Sequence, residues 1–197
     1  MLSTTRILAH HALQIVAAVG YSWIPPAEDW SHTSSTWSER HAALVSQSLR
    51  DGRRVAVQIE TLTLLLLDVN MEVIETMPLE QHTLDEGYDW LVETLRKHDT
   101  IDDLPLVRPD HDLPTHAVYN GAPFVIDDAD GLRELASWYS HAWRQLEGWR
   151  SSTPDASEVR CWPHHFDIAS LAILDRQLPS EQQRSIGVGL SPGDDVT

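Results

Sequence analysis

Arg54-Val55-Ala56-Val57-Gln58-Ile59-Glu60-Thr61-Leu62-Thr63-Leu64-Leu65-Leu66-Leu67-Asp68-Val69-Asn70 is the stretch on which the fold of this chain turns. Val55, Val57 and Ile59 alternate with Arg54, Ala56 and Gln58, the period of a strand with one face in a core. From Leu62 the alternation gives way to a leucine run, the pattern of a strand buried on both faces. The stretch therefore reads as one long strand, with a bulge near Glu60-Thr61. Upstream, Asp51-Gly52 is a hairpin signal, and residues 43–49 read as a strand on its far side. Downstream, Asp68-Val69-Asn70 turns the chain and residues 72–77 return as another strand.

Helical patterns surround this sheet. Over residues 4–20, Ile7, Leu8, His11, Ala12, Ile15, Val16 and Val19 recur at helical spacing, and Gly20 is a natural stop. Pro25-Pro26 forbids a continued helix. A polar loop follows over 27–36, anchored by Trp30. Residues 83–98 open with Thr83 and Glu86 in capping-box register. Residues 130–150 place Leu132, Leu135, Trp138, Tyr139, Ala142, Trp143 and Leu146 on one face. Between these helices, residues 99–123 form a long connection rich in proline and aspartate, which includes Asp102-Asp103. Connections of that length inside a domain are often functional. Residues 159–174 and 186–190 read as further strands, and Ser191-Pro192-Gly193-Asp194 as a turn. The expected fold is α+β: a mostly antiparallel sheet with about three helices packed against it. Residues 1–197 are expected to form a single domain. The 186–190 strand has no evident hairpin partner and the chain stops just after a turn, so a C-terminal truncation is expected.

Charge and composition exclude several classes. Thirty acidic residues against fourteen Lys and Arg give a net charge of −16, which repels phosphate backbones and argues against nucleic-acid binding. No run approaches the ~20 apolar residues of a membrane span, and no secretory signal precedes a cleavage site. Cys161 is the single cysteine; no intrachain disulfide can form, and a cytoplasmic setting is expected. The His-Glu-x-x-His, phosphate-loop and nucleophile-elbow signatures do not occur.

The densest polar cluster is Cys161-Trp162-Pro163-His164-His165-Phe166-Asp167. On a continuous strand His165 and Asp167 would share one face, with Trp162, His164 and Phe166 on the other. A histidine and a carboxylate so placed can supply two metal ligands, or a histidine with the acid that orients it. The bland alternative is a half-buried histidine bonded to backbone. His11, on the apolar stripe of the first helix, must satisfy both ring nitrogens or border a cavity, and a bonded core histidine is its ordinary reading. His32 lies in a loop, where histidines are usually solvated. Together His11, His32, His164, His165 and Asp167 are the candidate ligand-binding set. His11, His165 and Asp167 are the side chains that could hold a divalent metal. His111 and His116, in the long connection, read as surface residues. The leading expectation is a domain that binds a small molecule or metal, with enzymatic activity left open. The other is a protein-interaction or structural module whose histidines are merely satisfied. A pocket lined by these histidines separates the first from the second.

Three stretches also carry a resemblance: 10–16 with Pro25-Pro26 and Trp30-Ser31-His32-Thr33; Trp162-Pro163-His164-His165-Phe166-Asp167; and Gly187-Val188-Gly189-Leu190-Ser191-Pro192-Gly193-Asp194. They resemble a bacterial family built around a domain of unknown function. The resemblance implies a similar α+β fold and a further aromatic strand after the Ser-Pro-Gly-Asp turn, which this chain lacks. It implies no activity.

Overall fold

The computed structural model describes residues 2–101, 105–179 and 182–193. Asp102 and Asp103 of the long connection and Asp194 of the final turn lie outside them. Among the described residues the α-helices are α1 (Leu2–Trp23), α2 (Leu84–Lys97) and α3 (Ala129–Ser152). The strands are β1 (Thr36–Ser38), β2 (Ala43–Val45), β3 (Arg54–Gln58), β4 (Thr63–Leu67), β5 (Val73–Pro78), β6 (Arg160–Trp162), β7 (Asp167–Ile173) and β8 (Ser185–Leu190). β1 to β5 form an antiparallel meander in chain order, and β6 to β8 a second antiparallel sheet. A bridge from Ser35 to Cys161 joins the two: each amide donates to the other's carbonyl, at 2.9 and 2.7 Å. The fold is α+β, with three helices and mostly antiparallel sheet, as the sequence reading expects.

The stretch 54–67 is two strands rather than one bulged strand. Gln58 pairs with Thr63, and residues 59–62 make a four-residue turn between them. The same turn recurs at 39–42, between Ser38 and Ala43, and at 163–166, between Trp162 and Asp167. Each ends on a residue in the left-handed region: Leu62 at φ 46°, Ala42 at φ 47° and Phe166 at φ 58°. That conformation costs a non-glycine residue roughly 1–2 kcal/mol. Burial offsets it at Leu62 and Phe166, which are shut off from solvent.

Alternation then sorts the strands. Val55, Val57, Leu64 and Leu66 face the main core with α1. Ala56, Leu65 and Leu67 join Ala43 and Val45 in a smaller cluster on the opposite face. The leucine run is thus buried on both sides, as its pattern predicts. β8 pairs along β7, from Ile168 opposite Leu190 to Ile173 opposite Ser185, which supplies the partner missing from the sequence reading.

α1 is buried around its whole circumference over residues 8–20, and it runs three residues beyond the stop expected at Gly20. Gly20 is there for space. A Cβ at this position would lie 2.3 Å from the His32 carbonyl oxygen and 2.7 Å from Thr33 Cα, so the 30–33 loop packs directly on the helix. Thr83 caps α2 with the full capping box, and Asp128 caps α3 through the Gly131 amide. No described helix is long and apolar enough to cross a membrane.

Candidate functional site

The site begins at the turn between β6 and β7. Pro163 and Phe166 point into the protein, while His164 and His165 are exposed. Buried groups from two helices hold the backbone between them. His10 Nε2 and Gln14 Nε2, both on α1, lie 2.8 Å from the Pro163 carbonyl oxygen. The Tyr139 hydroxyl, on α3, donates to the Phe166 carbonyl at 2.5 Å. The Phe166 ring stacks on His10, with centroids 5.1 Å apart and planes 9° from parallel. A carbonyl only accepts, so His10 carries its proton on Nε2. Burial depresses the His10 pKa to about 4, with His11 and Arg6 pushing the same way, against the opposing pull of the Pro163 hydrogen bond. The ring is neutral at pH 7.

Gln14 also fixes a fourth histidine, His111. Its amide nitrogen is spent on the His10 and Pro163 carbonyls, so its oxygen faces His111 Nδ1 at 2.8 Å and accepts from it. His111 Nε2 is then left to accept from the Tyr21 hydroxyl at 2.9 Å. His111 thereby ties the long connection to α1. Burial and the neighbouring His164 lower its pKa, against Asp110. His164 is lowered in turn by burial and by His165.

These groups open onto a cleft of about 600 Å³. Trp162 lines it beside Asp167, its directly paired partner across the hairpin. His164 and His165 stand next to them with ring centroids 4.3 Å apart, and His111 is 5.9 Å from His164. Tyr21, Asp29, Trp30 and Thr33 complete the lining from the end of α1 and the loop after it. Trp30 is 59% exposed and sits in the left-handed region at φ 59°, an uncommon conformation for a bulky residue. It stacks on His32 at 5.5 Å. Asp29 accepts from the Ser31 amide at 3.0 Å, and its bonds to Ser31 hold its carboxyl below the usual range. Asp167 keeps one buried carboxyl oxygen, Oδ1, that no hydrogen bond reaches among the described residues.

The structure brings together three of the five residues expected from sequence: His164, His165 and Asp167. It does so for a different reason. They do not alternate along one strand; His164 and His165 are turn residues and Asp167 opens β7. Pro163 breaks the run, and Phe166, expected beside His164, faces the core instead. His32 lies behind the cleft: it is buried under Trp30, and its Nδ1 accepts from the Ala27 amide at 3.1 Å. His11 belongs elsewhere. Its Nε2 donates to the Pro114 carbonyl at 3.0 Å, and its ring neighbours are His116 and Tyr119. The metal set His11, His165 and Asp167 is not assembled, and among the described residues no three His, Cys, Asp or Glu side chains form a group that could hold a metal ion. Sequence reasoning did not count Tyr21, Asp29, Trp30 or Thr33 as site residues, reading Trp30 as a loop anchor, and placed His111 on the surface. A local signal existed for Trp30, a large aromatic in an otherwise polar loop.

Compared with protein-family models, with curated proteins and with solved structures, the chain matches nothing. The site is therefore read from its own geometry.

Proposed function

We propose that this protein binds a small organic molecule in the cleft between Trp30 and Trp162, and that His164 and His165 make hydrogen bonds to it. One observation carries this reading. Three side chains from α1 and α3, His10, Gln14 and Tyr139, grip the turn that bears the two histidines, yet neither ring makes a hydrogen bond among the described residues. Polar side chains held on a rigid support with unused donors and acceptors suit ligand recognition. The depressed pKa values of His164 and His111 leave each ring neutral near pH 7, with one donor and one acceptor nitrogen. Neutral imidazoles of that kind also suit proton transfer to a bound substrate. The lone buried cysteine fits a cytoplasmic setting for this activity.

A fragment library screened by thermal shift tests the reading. Ligands should raise the melting temperature of the wild-type protein and not that of a His164→Ala/His165→Ala double variant. Both positions are exposed, so the double variant retains its fold. A library without hits, or hits that persist in the double variant, would contradict the assignment.

A further inference from the structure

Resting on that cleft, we infer that its ligand is an organic cation: a flat or alkylated ammonium held against Trp30 and Trp162 and neutralised by Asp29 and Asp167. The walls and the charges point the same way. Trp30, Trp162 and Tyr21 present aromatic surface, and the faces of such rings attract cations, tryptophan best of all. Trp30 is the most available of the three. It is more than half exposed, held in an uncommon backbone conformation and backed by His32. Backbone outliers of this sort cluster where a side chain must be presented to a ligand.

Two carboxyl side chains, Asp29 and Asp167, line the cleft. Asp29 is kept ionised by its bonds to Ser31. Asp167 lines the cleft from the start of β7, and among the described residues no hydrogen bond reaches its buried Oδ1. Among the described residues no lysine or arginine lines the cleft. Arg160, whose charge reaches Asp29, is spent on the Ser31 carbonyl, the Ser34 hydroxyl and Glu158. His111 and His164 have depressed pKa values, so they do not cancel the two acids at neutral pH. The net charge of −16 on the whole chain adds a long-range field that draws cations in and turns anions away.

Three matched probes test this by isothermal titration calorimetry at pH 7.5 and low salt: benzylamine, benzyl alcohol and benzoate. Benzylamine, cationic at this pH, should bind at least tenfold more tightly than benzyl alcohol, with benzoate weakest. Added salt should shrink the preference. Asp29→Asn, at an exposed position, and Asp167→Asn should each erode the gap between benzylamine and benzyl alcohol, while Trp30→Ala should weaken both. Equal binding of amine and alcohol, or tighter binding of benzoate, would overturn the cation assignment and leave the cleft reading standing. Binding that ignores Trp30→Ala, or no binding by any probe, would count against both.

Discussion

His10 shows how much of this site is built behind the surface. It is buried, neutral, stacked on Phe166 and bonded to the Pro163 carbonyl, and it does not itself line the cleft. Its pKa of about 4 in the fold, against about 6.5 in an unfolded chain, has a direct consequence. Between those values the unfolded state binds the proton and the folded state resists it. Stability is therefore full above pH 6.5 and falls as the pH drops toward 4, by roughly 3 kcal/mol across the window from this residue alone. His11 and His111 are also depressed and add slope of the same sign. Urea denaturation at pH 7 and pH 4.5 measures this loss. His10→Gln keeps a donor for Pro163 and removes the titration, so the gap between the two pH values should shrink; an unchanged gap would place the acid sensitivity elsewhere.

At the level of elements, the repeated four-residue turn decides what sequence could and could not reveal. Helices α2 and α3 were legible because their caps and apolar spacing are local. The leucine run was legible as a doubly buried strand. The turns at 59–62 and 163–166 were not, because Leu62 and Phe166 carry the left-handed conformation normally advertised by glycine or asparagine. Burial in the core enforces that backbone, and burial is a property of the assembled fold. The error at 163–166 then spread to the site: alternation through the turn put His164 and His165 on opposite faces, when both border one cleft. Trp162 and Asp167 were separable in sequence by five positions and adjacent only through strand pairing. The strain itself is measurable. Ala42→Gly, at φ 47°, relieves a left-handed alanine and should stabilise the protein by up to about 1 kcal/mol. Ala56→Gly, in the buried middle of β3, removes a packed methyl and should destabilise it by about 1 kcal/mol or more. Chemical denaturation of both variants would show the opposite signs; two losses of equal size would mean that the turn at 39–42 carries no strain.

Across the whole molecule, α1 is the common support. It is sheathed by the β1–β5 meander, α2 and α3, and its buried His10, His11 and Gln14 side chains are spent on loops. His11 holds the connection at Pro114, Gln14 holds it at His111 while binding Pro163, and Gly20 admits the 30–33 loop. Three segments far apart in sequence, around Trp30, His111 and His164, meet over the C-terminal half of one helix. Only the last was singled out as a dense cluster from sequence, since convergence of loops on a buried helix leaves no periodic trace. The measurement that bears most directly on this arrangement is ¹³C side-chain NMR of the histidine and tryptophan rings during titration with a ligand from the thermal-shift screen. Shifts should concentrate on His164, His165, His111, Trp30 and Trp162, with His141 and Trp138, on α3 and outside the cleft lining, unmoved. Shifts confined to rings outside the cleft, with His164, His165 and Trp30 unchanged, would contradict it.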